Sequence, residues 1–295
     1  MPVDLMPVDL KGRTVGVIGL GLMGRPMARN LAKAGASPVV HSRSPGPVAE
    51  LAAEGMSPAA GPAEVAARAD SIVLMLSDTV AVETVAAGLM DALRPGHLVI
   101  DMGTTAVEPT RRLAEAVRAK GAAWVDAPVS GGTVAAEAGS LTIMAGGTAE
   151  AFAKALPLFQ VLGQRITHVG DSGAGQVAKM ANQVIVALTI GAVAEALALA
   201  KAAGVEPGKV RDAIRGGFAE SRILDLHGQR MVTGDFTPGG RVVTQIKDLK
   251  QAEELAEQSG IQLPALGLSL ELFEMLADQG DGGLDHAALY RLFVK

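Results

Sequence analysis

The chain has 295 residues, of which 49% are hydrophobic and 19% charged, a composition typical of a folded protein large enough for two domains. Its formal net charge of −5 offers no basic surplus, so we expect no nucleic-acid partner. It contains no cysteine, which excludes disulfides, thiolate metal sites and cysteine nucleophiles. This cysteine content and an N-terminus without signal-peptide features lead us to expect a cytoplasmic protein.

The first half of the chain alternates short apolar segments with amphipathic ones, which predicts a parallel sheet covered by helices. Predicted strands are Thr14 to Gly19, Pro38 to His41, Ser71 to Leu76, Leu98 to Asp101, Ala123 to Asp126 and Leu141 to Ala145. Predicted helices are Gly21 to Ala34 and segments near 47–54, 79–92 and 107–120. The pattern indicates an α/β Rossmann-type N-terminal domain over residues 12–172.

The second half has long helical periods and hardly any strand signals. A single helix is predicted from Gly175 to Ala203, with Gly204 as its stop. Its apolar stretch, Val184 to Ala200, has the length of a membrane span, but the charge of Glu195 inside it favours a buried core helix and no membrane. Further helices are predicted over 207–216, 221–231, 244–259 and 264–278. We therefore expect an all-α C-terminal domain over 173–295, joined to the first domain by the long helix.

A glycine-rich turn follows the first strand. The sequence Gly19-Leu20-Gly21-Leu22-Met23-Gly24 fits G-x-G-x-x-G and opens a predicted helix. Glycines at these places permit a tight turn, a close approach of backbone to pyrophosphate, and close packing of helix on sheet. The helix N-terminus adds free N–H groups for phosphates. The motif in this context predicts dinucleotide binding.

The turn after the second strand bears on cofactor choice. NAD-binding folds usually place a carboxylate there for the ribose hydroxyl, but this chain has Ser42, Arg43 and Ser44. Arg43 could pair with a 2′-phosphate, helped by the two hydroxyls. The alternative is a polar turn with a solvated arginine. We expect NADP as the preferred cofactor, with NAD still possible.

Four blocks in order resemble the β-hydroxyacid dehydrogenases, the 3-hydroxyisobutyrate dehydrogenase family. They are Val17 to Leu31 (VIGLGLMGRPMARNL), Asp126 to Gly132 (DAPVSGG), Gly173 to Gln183 (GAGQVAKMANQ) and Lys247 to Leu249 (KDL). The segment from Lys179 to Leu188 resembles the branch of this family that reduces tartronate semialdehyde. The resemblance implies an NAD(P)-dependent oxidoreductase that interconverts a short 3-oxo acid and its hydroxy acid.

Two blocks near the expected cofactor depart from the family pattern. Met75 to Asp78 reads MLSD where MLPN is usual, and Asp101 to Thr104 reads DMGT where DMST is usual. By resemblance, Leu76, Ser77 and Thr104 contact the cofactor. The departures concern the contacts to the cofactor and not the fold.

The resemblance also implies roles for the polar residues around the reaction. Lys179, partly desolvated in an apolar helix, would be the catalytic acid/base. Asn182 and Gln183 follow it at helical spacing and would bind the hydroxyl or the carboxylate of the substrate, or orient Lys179. Ser130, Gly131 and Gly132 would hold the substrate carboxylate. Lys247 would neutralise that carboxylate or contact the cofactor ribose.

Other interpretations of the function are also consistent with the sequence. Within the family, the substrate could be 3-hydroxyisobutyrate, succinic semialdehyde or another β-hydroxyacid. Outside it, the chain could be a cofactor-binding protein without activity, although it retains the whole polar set. The histidines lie at turns or element ends without an obvious partner, and no His/Asp/Glu cluster has ligand spacing, so we expect no metal. The apolar helical domain predicts a homodimer or homotetramer.

Overall fold

The computed structural model describes residues 8–294, and the chain divides into two compact units, the first ending at Lys179 and the second beginning at Met180. Unit 1 holds a nine-stranded sheet, and unit 2 is helical. The fold class is confirmed. The boundary between the compact units lies inside the long helix, and the predicted domain boundary at residues 172/173 stays a prediction. Lys295, the last residue of the predicted second domain, lies outside the described residues.

The sheet of unit 1 runs in the order β3-β2-β1-β4-β5-β6-β8-β7, with β9 paired to β8. Its strands are β1 Thr14–Ile18, β2 Ser37–His41, β3 Ser57–Pro58, β4 Ser71–Leu74, β5 Leu98–Asp101, β6 Ala123–Asp126, β7 Val129–Ser130, β8 Leu141–Gly146 and β9 Gly163–Gly170. Strand order reverses beside β1, where β2 lies on one side and β4 on the other. The carboxyl ends of strands at such a reversal form the crevice in which open α/β sheets bind ligands.

Seven helices of unit 1 connect these strands. They are α1 Gly24–Lys33, α2 Pro45–Ala53, α3 Pro62–Arg68, α4 Thr79–Leu89, α5 Val107–Ala119, α6 Gly132–Ala138 and α7 Ala149–Leu162. Two hydrophobic clusters form the core of the unit; one includes Val17, Leu31 and Phe159, and the other Ile72, Leu89 and Trp124. Burial of both groups of side chains explains why the central strands are apolar without alternation.

The predicted parallel sheet is confirmed for β1 to β6, but β8 runs antiparallel to β6 and β7. Asp126 pairs with Gly146 and Val129 with Ile143, so β7 continues the line of β6 along β8. The connection from β7 to β8 contains only the short helix α6, which returns the chain beside the segment it has just left. Antiparallel neighbours need only such a short connection, whereas parallel ones need a long crossover.

Unit 2 contains most of the long helix and four shorter ones. The helices are α8 Ala174–Ala202, α9 Pro207–Ile214, α10 Arg222–Thr233, α11 Val242–Gln258 and α12 Pro264–Leu276, followed by a π-helical turn Ala277–Asp281 and a 3₁₀ segment His286–Leu292. The predicted single long helix is confirmed, and Gly204 stops it with a positive φ of 77°. The hydrophobic core of unit 2 includes Ile190, Leu197 and Phe273.

The helix α8 is buried on one side only. Ala187, Ile190, Ala194 and Leu197 are fully buried, whereas Ile185 and Leu199 on other sides are 67% and 72% exposed. The helix is long and apolar enough to cross a membrane by length and composition, and 39% of its most apolar window is buried. The prediction of a buried core helix is therefore confirmed for one side of α8 only, since an apolar surface remains on the side away from the core.

Candidate active site

The glycine-rich turn of residues 19–24 lies at the strand-order reversal. Gly19 has a φ of +98°, and a Cβ there would collide with the Met75 carbonyl oxygen. A Cβ at Gly24, where α1 begins, would collide with the Gly19 carbonyl oxygen, whereas one at Gly21 would meet nothing within 4 Å. Gly19 and Gly24 thus make the turn possible, and Gly21 leaves open space beside the backbone, which is what the approach of a pyrophosphate requires.

The other residues of this turn differ in exposure. Leu20 is buried, Met23 is half-buried and Leu22 is 52% exposed. The backbone N–H of Gly19 donates to the His41 carbonyl oxygen at 2.9 Å, which joins the turn to the end of β2. The residues next along the chain, half-buried Ser42 and exposed Arg43 and Ser44, therefore lie at the same edge of the sheet.

Two more strand ends meet at this edge. Ser77, after β4, donates its hydroxyl to Asp78 Oδ2 at 2.7 Å, and Asp78 caps α4 through the Ala81 N–H. After β5, a Cβ at Gly103 would lie 2.9 Å from the Leu76 carbonyl oxygen. The glycine that replaces the usual serine thus lets the segments of Leu76 and Thr104 approach each other closely.

Lys179 lies beside the segment predicted to bind substrate. Its side chain is 7% exposed, and its Nζ donates to the Val129 carbonyl oxygen at 2.9 Å. Ser130 is half-buried, and Gly131 and Gly132 follow with φ of +128° and +64°. Both glycines lie where the first N–H groups of α6 have no partner within the helix. The ammonium of Lys179 and a set of polar donors are thus brought together in unit 1.

The start of α8 is anchored by two residues that the sequence analysis did not identify as functional. The carboxylate of buried Asp126 accepts the N–H of Gly173 at 2.7 Å and of Gln176 at 3.0 Å. The buried Gln176 side chain donates to the Gly103 carbonyl oxygen at 3.0 Å and accepts the Thr105 N–H at 3.1 Å. The only sign in the sequence was that Asp126 and Gln176 are polar residues with mostly apolar neighbours. Together these bonds fix the helical turn that carries Lys179.

The protonation of Asp126 reflects its burial. Burial raises the pKa of Asp126 to about 6, although the backbone N–H donors of Gly173 and Gln176 act to lower it. The carboxylate is therefore mostly ionised at neutral pH. A negative group at a helix N-terminus is favourable because it faces the positive end of the helix dipole.

In unit 2, the three predicted polar residues belong to one hydrogen-bonded cluster. Gln183 is 7% exposed and donates through Nε2 to Asp248 Oδ2 at 2.6 Å. Asn182 donates through Nδ2 to Gln183 Oε1 at 2.8 Å. Lys247 Nζ lies 2.9 Å from Asp248 Oδ1. The carboxylate of Asp248 thus joins the K-D-L block on α11 to the polar residues of α8.

The structure corrects the prediction that the histidines lack partners. His227 Nδ1 lies 3.4 Å from Asp285 Oδ1, the rings of His227 and His286 make an edge contact at 4.6 Å, and the three residues form a cluster with metal-ligand spacing. The sequence could not show this because α10 is far from residues 285 and 286 along the chain. The Arg230 guanidinium, 3.2 Å from Asp285 Oδ2, already supplies a cation to this carboxylate.

The charge of Asp285 is strongly stabilised. Burial alone would raise the pKa of Asp285, but its bond with His227, the nearby His286 and the N–H groups of Ala287 and Gly239 bring that pKa well below its usual value. The Gly239 and Gly240 N–H groups donate to Oδ2 at 2.9 and 3.1 Å. Asp285 is therefore an ionised structural anchor for the segments that converge on it.

Comparison with known proteins places both units in families. Residues 14–170 match the family described as the NAD binding domain of 6-phosphogluconate dehydrogenase. Residues 173–293 match the family described as the NAD-binding domain of NADP-dependent 3-hydroxyisobutyrate dehydrogenase. Both matches fit a chain with a nicotinamide cofactor.

Individual relatives cover nearly the whole chain. The 2-hydroxy-3-oxopropionate reductase of Escherichia coli is 44% identical over 279 residues, 93% of this chain and 95% of the relative. The 3-hydroxyisobutyrate dehydrogenase of Pseudomonas aeruginosa is 34% identical over 95% of this chain and 98% of its own length. The crystal structure of 3-hydroxyisobutyrate dehydrogenase from Salmonella typhimurium is similar with a TM-score of 0.86 and 31% identity, covering 95% of this chain and 99% of its own. With a glycine cradle for a dinucleotide and a family match over both units, the chain belongs to the 3-hydroxyisobutyrate dehydrogenase family of NAD(P)-dependent β-hydroxyacid dehydrogenases, close to tartronate semialdehyde reductase.

Proposed function

We propose that the chain reduces a short 3-oxo acid of the tartronate semialdehyde type (2-hydroxy-3-oxopropionate) to its hydroxy acid, or oxidises that hydroxy acid, with Lys179 as general acid/base. The observation that carries the proposal is the buried Nζ of Lys179, 2.9 Å from the Val129 carbonyl oxygen and next to Ser130. The 44% identity to a 2-hydroxy-3-oxopropionate reductase supports this substrate class.

The glycine turn from Gly19 to Gly24 would hold a nicotinamide dinucleotide, which would supply the hydride for reduction and accept it in the reverse direction. When hydride reaches the carbonyl carbon, the carbonyl oxygen becomes an alkoxide, and the Lys179 ammonium donates a proton to it. In the oxidation, neutral Lys179 takes the hydroxyl proton. The low exposure of Lys179 keeps bulk water away from Nζ and so keeps this proton transfer between enzyme and substrate.

The carboxylate of the substrate needs several donors, and we assign it to Ser130, Gly131 and Gly132. Successive backbone N–H groups at positive-φ glycines form a concavity suited to an anion. Asn182 and Lys247 are assigned to the substrate hydroxyl and to the carboxylate or cofactor ribose, respectively.

We assign NADP as the preferred cofactor, on the exposed Arg43 and the hydroxyls of Ser42 and Ser44 beside the glycine turn, with NAD as the alternative. Leu76, Ser77 and Thr104 would line the same edge. We further propose that the enzyme works in the cytoplasm as a homodimer or homotetramer.

The test is the oxidation of NADPH by the purified protein with 2-hydroxy-3-oxopropionate, followed by absorbance. Replacing Lys179 by Met should lower kcat by about 10²- to 10⁴-fold, the usual contribution of general acid–base catalysis, while NADPH still binds. Lys120→Met, at an exposed lysine after α5, is the matched control and should retain wild-type kcat. Retention of kcat by Lys179→Met would refute the assigned role.

A further inference from the structure

We propose that Gln183 is a positioning residue which, held by Asp248, turns Asn182 so that its carbonyl oxygen accepts a hydroxyl group at C2 of the substrate. The inference rests on the proposed function and refines it. It changes the predicted role of Gln183 from direct substrate binding to the orientation of a neighbour.

The first step is the polarity of the Gln183 amide. Asp248 is 3% exposed, and its Oδ2 lies 2.6 Å from the terminal amide of Gln183. An ionised carboxylate only accepts hydrogen bonds, so the NH₂ group of Gln183 must face it. Lys247 Nζ lies 2.9 Å from the other oxygen, Asp248 Oδ1, so Oδ2 is the oxygen that accepts from Gln183.

The second step is that the orientation of the Gln183 amide sets the orientation of the Asn182 amide. Because Nε2 of Gln183 faces Asp248, Oε1 faces Asn182, whose Nδ2 donates to it at 2.8 Å. The amide of Asn182 is thereby oriented with its nitrogen toward Gln183, and its Oδ1 is left available as an acceptor. An amide that could turn freely would offer a donor or an acceptor equally well.

A second contact holds the Gln183 amide in place. Gln245 is 2% exposed, and its Oε1 lies 3.4 Å from Gln183 Nε2 and 3.2 Å from His286 Nδ1. Both contacts are consistent with a donor at each neighbour. The contact with Gln245 Oε1 thus agrees with the orientation of the Gln183 amide that Asp248 sets.

The consequence is substrate selection at C2. A hydroxyl at C2 can donate to Asn182 Oδ1, whereas a methyl group there leaves this acceptor without a partner. Sites built to hydrogen-bond a substrate hydroxyl reject analogues that lack it. We therefore expect a preference for 2-hydroxy over 2-methyl substrates.

The experiment compares oxidation of glycerate and 3-hydroxyisobutyrate, which differ in the hydroxyl or methyl group at C2, through the ratio of their kcat/KM values. Wild type should favour glycerate. Gln183→Met, which keeps the length but removes the hydrogen bonds, should reduce the ratio about tenfold. Gln229→Met, at an exposed position of α10, is the matched control and should leave the ratio unchanged.

A donor–acceptor exchange separates positioning from mere packing. Gln183→Glu places two carboxylates face to face and should lower the ratio. Adding Asp248→Asn restores a donor and an acceptor in exchanged places, still with an acceptor toward Asn182, so the double variant should recover most of the ratio. Failure of this recovery, or a wild-type preference for 3-hydroxyisobutyrate, would overturn the inference while leaving the enzyme class intact. Absence of turnover with both acids would instead count against the proposed function and the inference with it.

Discussion

At the scale of single residues, we expect the choice between NADP and NAD to depend on Arg43. The Gly19 N–H bond to the His41 carbonyl oxygen holds the end of β2 against the dinucleotide turn, and Arg43 follows two residues later. A carboxylate at this edge would bind a ribose hydroxyl and repel a phosphate, whereas a guanidinium attracts the phosphate.

Replacing Arg43 by Ser should therefore lower kcat/KM for NADPH by about 10- to 100-fold, the worth of a charge-assisted hydrogen bond, and leave kcat/KM for NADH nearly unchanged. Initial rates with each cofactor measure this directly. Arg165→Ser, at an exposed arginine of β9, should change neither value. An equal fall in kcat/KM with both cofactors would show that Arg43 attracts the dinucleotide in general and does not bind the 2′-phosphate.

The sequence predicted residues of the candidate site only where they belong to a recognisable motif. The glycine turn and Lys179 stand in recognisable blocks, and the structure gives both a physical context. Asp126 and Gln176 were missed as anchors because their bonds to Gly173, Gly103 and Thr105 join segments far apart in sequence. Periodicity and local spacing hold no information about such pairs.

At the scale of elements, the prediction succeeded where one pattern dominates a segment. β5 and β6 were predicted at their observed bounds, and α8 within one residue at each end. α7 was missed because Pro157 lies inside it, and a proline argues against a helix interior. β9 was missed because most of its residues are partly or fully exposed, so it lacks the apolar run of a central strand.

Asp285 connects α10, the loop before α11 and the 3₁₀ segment, and its charge makes the stability of unit 2 depend on pH. Its folded-state pKa is depressed below the usual 3.8, so its stabilising contribution is present above about pH 4 and is lost as pH falls further. Asp285→Asn should lower the free energy of unfolding at pH 7 by about 3–5 kcal/mol, the cost of removing one partner of a buried ion pair.

Urea unfolding at pH 7 and pH 3, followed by circular dichroism, measures both effects. The acid-induced loss of stability should be smaller in Asp285→Asn than in wild type, since the variant has no carboxylate to protonate. Asp278→Asn, at an exposed aspartate of the π-helical turn, serves as control and should unfold like wild type. An unaltered acid response in Asp285→Asn would show that other carboxylates govern acid unfolding.

At the scale of the whole molecule, unit 2 exposes large apolar side chains that the rest of the chain does not cover. Ile185 and Leu199 on α8 are 67% and 72% exposed, and Leu268 and Met275 on α12 are 59% and 53% exposed. Large exposed apolar side chains on regular helices are typical of surfaces that associate. A second copy of the chain presents the same side chains, so symmetric self-association can bury both surfaces at once.

We therefore expect light scattering to give a mass of at least two chains at micromolar concentration. The double variant Ile185→Asp/Leu199→Asp should shift this mass toward a single chain, because burying two carboxylates without partners in an interface costs several kcal/mol. Val80→Asp, at a 70% exposed valine on α4 of unit 1, introduces the same charge elsewhere and should leave the mass unchanged. A single-chain mass for wild type would contradict self-association, and an undiminished mass for the double variant would place the interface away from this side of α8.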